Sequence, residues 1–349
     1  MSLYHFISLS ISTSILSILI IYINNKLGNK FTDNAIGVQK FHSSPTPRLG
    51  GLSIFLTVFI SAFFVLEYKQ ILFFILLSSL PTFISGFLED LFGNVKPRQR
   101  LFGAFISGLL FIYLTGFYVK SVEIQLIDYA LSIYFISFMF TGFAISGICN
   151  SINIIDGFNG LATGSLLIMF STFAIIGWNV SDNLVINISL ISIFIIIGFM
   201  VINFPLGYIF LGDAGAYFCG FLLAIVAIML PFRNDEISSW VSLLVCIYPI
   251  TETIFSIYRK VKRKGHHPSK PDGVHLHMLI YRNLSLKVSR KFGLENYRNP
   301  ITSVIVWNLP LSSCIMALFT YQNQYLTYLM IFSMVVIYIL IYRKFSLNW

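Results

Sequence analysis

Charge is scarce in this chain. Only 11% of its 349 residues are Asp, Glu, Lys or Arg, while 56% are hydrophobic and the mean hydropathy is +0.81. A water-soluble domain carries about 25% charged residues, so the composition points to a protein built for lipid. Cysteine is sparse too. The four, Cys149, Cys219, Cys246 and Cys314, stand singly in apolar runs. Without CxxC spacing neither a zinc site nor a disulfide framework is indicated, and they read as packing residues. There is no GxxxxGK[ST] loop, no kinase signature and no GxSxG elbow, which removes the common soluble phosphate and acyl chemistries. Nor is there an internal repeat, inverted or parallel, of the kind many transporters carry.

What the chain does have is long apolar runs. Segments long enough to span a bilayer, about 17–25 residues each, fall at 3–24, 49–67, 71–89, 101–119, 130–149, 160–178, 183–203, 215–231, 238–258, 301–320 and 326–342, eleven in all. The expected architecture is an all-α, polytopic membrane bundle forming a single domain over 1–349, with a long basic loop at 259–300. The first run has no basic n-region and no small-residue cleavage site, so it reads as a retained helix. The net charge of +9 invites a nucleic-acid reading, but no recognition helix or RNA-binding sheet accompanies it. Twenty of the 23 lysines and arginines fall on one side of the alternating runs; Lys69, Lys120 and Arg233 fall on the other. That bias places the amino terminus outside and the carboxyl terminus in the cytoplasm.

With that topology every polar cluster lies on the cytoplasmic side. The dominant one is Cys149-Asn150-Ser151-Ile152-Asn153-Ile154-Ile155-Asp156-Gly157-Phe158-Asn159-Gly160-Leu161. Burying those amides and that carboxylate costs several kcal/mol unless they face protein, water or a metal. A continued helix would set Asn150, Asn153 and Asp156 along one face, and the glycines would let the backbone turn towards a ligand. Pro45-Thr46-Pro47-Arg48-Leu49-Gly50-Gly51 precedes the second run and also reads simply as a helix start. Glu89-Asp90 closes the third run, where adjacent carboxylates meet the negative pole of a helix; they call for a cation, or for the nearby Lys96, Arg98 and Arg100. Gly212-Asp213-Ala214-Gly215 opens the eighth run, with Asp213 readable as an N-cap or as a carboxylate beside a phosphate-binding helix terminus. Finally, four of the six histidines (His266, His267, His275, His277) fall within twelve residues, beside Asp272; with basic neighbours they can donate to phosphate oxygens. Glu252, a lone acid deep in a run, reads as a packing or polar-network residue, although intramembrane acids are functional suspects.

Asp90, Asp156, Asp213 and Asn153 offer hard oxygen ligands suited to Mg²⁺, and the arginines and histidines suit phosphate. The inventory therefore points to magnesium-assisted phosphoryl transfer at the membrane face. A transporter reading would require several charges at mid-membrane and repeat symmetry.

The ordered set PTPRxGG, the acid pair, NxxNxxDGxxGL, GDxG and PDxxHxH, from about residue 40 to 280, resembles the polyprenyl-phosphate N-acetylhexosamine-1-phosphate transferases. This is glycosyltransferase family 4, which includes WecA and MraY. The eleven runs and the PDxxHxH segment look more like the WecA branch than like the MurNAc-pentapeptide transferases. The resemblance implies transfer of a sugar 1-phosphate from a UDP-N-acetylhexosamine to undecaprenyl phosphate with release of UMP, in a bacterial cytoplasmic membrane, often as a homodimer. It further implies Mg²⁺ (or Mn²⁺) on Asp213 and Asn153, and catalytic roles for Asp90, Glu89 and Asp156. Substrate contacts are expected from Arg48, Asn150, Asn159, Lys96, Arg98, His267, Asp272, His275 and His277. The chain departs from the family pattern at Glu89 (usually Asp), Asn159 (usually Asp) and Ala216 (often Ser). Asn159 cannot be a base, and Asp90 is favoured over Glu89. The phosphate monoester's second pKa near 6 leaves little need for a base, so direct in-line attack is expected, with a covalent aspartyl-phosphate as the rival route.

Overall fold

A computed structural model describes residues 3–33, 45–64, 68–262 and 273–346. The described chain is almost entirely helical. Its helices are α1 (Leu3–Lys26), α2 (Gly50–Phe64), α3 (Lys69–Phe92), α4 (Pro97–Thr115), α5 (Gln125–Leu131), α6 (Tyr134–Ile155), α7 (Leu161–Asn179), α8 (Asn183–Asn203), α9 (Gly212–Arg233), α10 (Ser239–Val245), α11 (Ile247–Lys262), α12 (Leu276–Ile280), α13 (Leu286–Phe292), α14 (Arg298–Val306), α15 (Asn308–Thr320) and α16 (Gln324–Ser346). A π-helical turn, Tyr281–Ser285, joins α12 to α13. The one extended pairing among the described residues is short: β1 (Thr32–Asp33) runs antiparallel to β2 (Thr46–Pro47).

Each of the eleven apolar runs falls, over most of its described residues, on a helix or a consecutive helix pair. Among the described residues, eight helices are long and apolar enough to cross a membrane, with α14 and α15 counting as one. The pair α10–α11, bent by 75°, makes a ninth if it is a single span. Helix α2 is shorter, at 15 residues, and α4 carries Arg98 and Arg100 in its first turn. The chain is thus a multi-pass helical membrane protein.

Helix α9 is the axis of the bundle. It packs against α2, α3, α4, α6, α7, α8 and α10, and every residue from Ala214 to Leu230 is buried. A helix apolar on all sides belongs in such a position. Small residues let neighbours close on it. A Cβ added at Gly51 would collide with the backbone of Gly215, and one at Gly86 with that of Ala214. Close approach of this kind is how helices associate in lipid, where burial of apolar surface gives no drive.

The expected basic loop at 259–300 is mostly helical where it is described. From Gly273 onward it forms α12, the π turn, α13 and the start of α14, and both of its described histidines are buried.

Candidate functional site

Four segments far apart in sequence converge on the amino end of α9. The β2 segment binds to the chain leading into that helix: Phe210 N–H donates to the Pro47 carbonyl, and the N–H groups of Gly50 and Gly51 donate to the carbonyls of Phe210 and Leu211, at 2.8–3.0 Å. This fixes Arg48 beside Asp213. Asp213 Oδ2 accepts from Arg48 at 3.2 Å and from Arg100 of α4 at 2.5 Å, while Oδ1 accepts from the Asn153 amide of α6 at 2.5 Å. Gly212, at φ +73°, makes the turn in a left-handed conformation, and a Cβ there would strike the Asp90 carboxylate.

That carboxylate is the cap of α9. The side chain of Asp90, at the end of α3, is wholly buried, and its two oxygens accept the N–H groups of Asp213 and Ala214, both at 2.9 Å. Arg48 stands 3.5 Å away. Two of the N–H groups that a helix leaves without intrahelical partners are thereby satisfied by an acid from another helix. Its neighbour Glu89 accepts the Val95 N–H at 2.7 Å and braces the turn into α4. Neither acid, for both of which a catalytic role was expected, is among the residues that line the cavity described next.

Beside Asp213 opens a polar cavity of about 400 Å³. Its lining includes Arg48, Arg100, Asn153, Asp156, Asn159 and Asp213. Asp156 lies just past the end of α6. Enclosure by protein, and then the Asp213 carboxylate, push its carboxyl up to about 7, with Arg48 pulling the other way. Asn159 sits in the wall through three bonds. Its N–H donates to Asn299, its side-chain amide to the Pro205 carbonyl, and its own carbonyl accepts from Ser303, at 2.7–3.0 Å. An aspartate here would set a carboxylate against a carbonyl. Asn203 ties the same loop to the approach to α9, accepting Gly160 N–H and donating to Ile209.

Of the remaining expected residues, Lys96 and Arg98 are exposed and off the cavity wall, whereas Arg100, two residues on, is buried within it. Asn150 lies outside the polar cavity, where it accepts from the Tyr217 hydroxyl at 3.2 Å. His277 is fully buried, edge-on to Phe158 at 5.7 Å and facing Gly157. His275 is bonded to Glu252 at 2.8 Å. His267 and Asp272 lie outside the described residues. Arg100, Asn203 and Asn299, and Asp33 from the β1 pairing, are wall residues that the sequence did not single out.

A second, mostly apolar cavity of about 980 Å³ runs along α6, α9, α10 and α11, with Phe140, Phe143, Ile148, Leu243, Ile254 and Asn150 among its lining. The walls of the two cavities adjoin, Arg100 lining the polar one and Leu101 the apolar one, and a chain of polar side chains through the buried Tyr217 links them. Asn150 holds Tyr217, whose ring lies 5.7 Å from the guanidinium of Arg100, which in turn holds Asp213.

The polar cavity fits a magnesium ion better than a zinc ion. Asp213 and Asp156 face one space, and the Asp213 carboxylate disfavours the charge of Asp156, a conflict that a cation would relieve. The Asn153 amide can turn its oxygen inward, since which end is oxygen is an assignment. Among the described residues no trio of His, Cys, Asp and Glu converges as a metal cage. An ion held here would draw the rest of its shell from water and phosphate, as Mg²⁺ commonly does.

Residues 72–231 match glycosyl transferase family 4. Over 241 residues the chain is 29% identical to a probable undecaprenyl-phosphate N-acetylglucosaminyl 1-phosphate transferase of Bacillus subtilis, covering 68% of this chain and 66% of that protein. It is also similar to phospho-N-acetylmuramoyl-pentapeptide-transferases. The one from Bacillus subtilis is 27% identical, over 53% of this chain and 61% of its own length. The one from Enterococcus hirae is 30% identical, over 61% of this chain and 69% of its own. The chain therefore spans just under two thirds of the first two relatives.

Proposed function

The chain belongs to glycosyl transferase family 4, and from that premise we propose that it moves an N-acetylhexosamine 1-phosphate from a UDP-sugar to undecaprenyl phosphate, releasing UMP. The observation that carries this reading is the adjoining of a polar and an apolar cavity whose walls are linked by the Asn150–Tyr217–Arg100–Asp213 seam. The apolar cavity suits an isoprenoid chain, and the polar one, with two guanidiniums and two carboxylates, suits a pyrophosphate and its cation. A polar headgroup on an apolar tail would place its phosphate at the seam.

The chemistry asks little of a base. At pH 7 a phosphate monoester is largely dianionic. In the proposed reaction its oxygen attacks the sugar-bearing phosphorus; the new P–O bond forms in line as the bridging P–O bond to UMP breaks. Bringing that anion to a pyrophosphate is the costly part, so positioning and charge neutralisation dominate. Arg48 and Arg100 supply fixed positive charge at the cavity. Asp213 and Asn153, with Asp156 beside them, would hold Mg²⁺, which when bound neutralises phosphate charge. Asp90 holds the amino end of α9, and therefore Asp213, in place, while Glu89 braces the α3–α4 turn. Asn159 is a wall residue with its amide committed to Pro205. The lysine and arginine bias supports a cytoplasmic opening in a bacterial inner membrane, and the lipid-linked sugar product suits the start of envelope polysaccharide assembly.

The test is UMP release from the full-length protein in detergent with undecaprenyl phosphate, Mg²⁺ and a panel of UDP-N-acetylhexosamines, UDP-MurNAc-pentapeptide included. Release that requires lipid and metal, and that falls at least about 100-fold in Asp213→Asn, is the expected result. Release with the pentapeptide donor alone would move the chain to the peptidoglycan branch, and no release with any donor would overturn the reading.

A further inference from the structure

Glu252 is a fully buried acid on α11, just past the 75° bend, and it does not line the polar cavity. A buried carboxylate is costly unless its oxygens are engaged, and an apolar residue of similar size is often as stable. Its three partners account for its presence. Oε1 accepts from His275 Nδ1 at 2.8 Å and from Leu276 N–H at 3.2 Å, and Oε2 accepts from the Tyr338 hydroxyl of α16 at 3.0 Å. The chain one residue earlier is held in the same way, since the Val274 carbonyl accepts from Arg259 of α11 and from Tyr342 of α16. The histidine segment is therefore clamped by two helices at consecutive residues.

The clamp reaches the cavity through stacked rings. His275 and His277 lie with centroids 5.3 Å apart and planes 4° from parallel. His277 then abuts the cavity wall. A Cβ at Gly157 would stand 3.2 Å from its Nε2, and Phe158 meets the ring edge-on. Accepting the Nδ1 proton fixes one tautomer and one ring orientation for His275, as an outer carboxylate does for a metal-ligating histidine.

We propose that Glu252 is a positioning residue of the transfer reaction, orienting His275 and, through it, setting His277 against the Gly157–Phe158 wall. The inference rests on the reaction proposed above. Position of the accepting oxygen, not charge, is what it demands. Glu252→Gln keeps the acceptor at the same reach and loses the charge, whereas Glu252→Asp keeps the charge and withdraws the acceptor by a methylene.

The experiment measures kcat, KM and thermal midpoint for both variants in the full-length protein, with Asp182→Asn as a variant weakened at a remote ion pair. Glu252→Gln is expected within about threefold of wild-type kcat. Glu252→Asp should fall about 10–100-fold, by analogy with the range for outer partners of metal-ligating histidines, and further than any variant of equal thermal midpoint. A Glu252→Asp variant with wild-type kcat, a Glu252→Gln variant as slow as Glu252→Asp, or losses that simply track the thermal midpoint would overturn the inference while leaving the reaction standing. Wild-type protein that releases no UMP would overturn the reaction itself, and the inference with it.

Discussion

At its carboxyl end α9 closes on Arg233, whose Nε donates at 2.7 Å to Asp182, an acid that also caps α8 through the N–H groups of Leu184 and Val185. The Asn234 amide donates to the same carboxylate. At its amino end α9 opens on Asp213, held by Arg48, Arg100 and Asn153, with Asp90 and Asp156 close by. Both ends pair acids with arginines. At the first, one acid meets enough donors to hold its charge, and neither of the two cavities described above touches it. At the second, several acids share a hollow with two arginines, and Asp156 is left with a carboxyl displaced towards neutrality. An arrangement whose charges are all answered serves stability, whereas one that leaves charge unanswered beside open space is suited to a ligand.

Substitution can test that contrast, and the largest effect should come from Arg100. Removing one partner of a buried ion pair leaves the other uncompensated, a loss of about 3–5 kcal/mol. Arg100→Ala also removes a fixed positive charge from the phosphate site, so it should lower kcat/KM for UMP release by about 100-fold or more. Arg98→Ala, in the same helix turn but exposed, should stay within about twofold. Equal losses in the two would dissolve the distinction between wall and surface. A smaller effect is expected from pH. A carboxyl raised to about 7 is neutral below that pH and ionised above it, so at low Mg²⁺ the rate should drop about tenfold per unit below pH 7. That limb should vanish in Asp156→Asn. The same protonation predicts that Mg²⁺ raises the thermal midpoint more at pH 8 than at pH 6. Smallest in activity is Asp182→Asn, within about twofold of wild type but less stable by about 1–3 kcal/mol. Burial opposes ionisation of Asp182, yet the bonds from Arg233, Asn234 and Val185 outweigh it and hold its carboxyl below the ordinary range. Its contribution is thus complete above the unfolded carboxyl pKa of about 4 and fades as pH falls through the lower folded value. The wild-type advantage over Asp182→Asn should shrink in strong acid.

The helices were legible because lipid demands unbroken apolar runs, and the runs fell largely on helices, although among the described residues only eight, or nine with the bent pair, are long and apolar enough to cross a membrane. The bend in 238–258 was not, because the run stays apolar through Val245, Cys246 and Ile247 while the direction changes. Asp213, Asn153 and Asp156 were legible as polar groups in sites that otherwise exclude them. Asp90 was noticed for its charge, but the backbone N–H groups that answer it belong to a helix more than a hundred residues away. Arg100 was hidden among three basic residues at one helix start. The available signal was phase: Arg100 shares its face with Ala104, Ser107, Gly108 and Phe111, the side of α4 that is buried. Asn203 and Asn299 carried no local pattern, since each acts through a loop distant in sequence.

The grip of Asp90 on α9 is on main-chain N–H groups, so it does not depend on the acid that residue 213 carries. Exchange of the acid at 213 should therefore leave the joint between α3 and α9 in place. Asp213→Asn should accordingly keep the α3–α9 joint even though it leaves Arg48 and Arg100 short of a counter-charge, while Asp90→Asn, which brings an NH₂ up to a backbone donor, should loosen the frame itself.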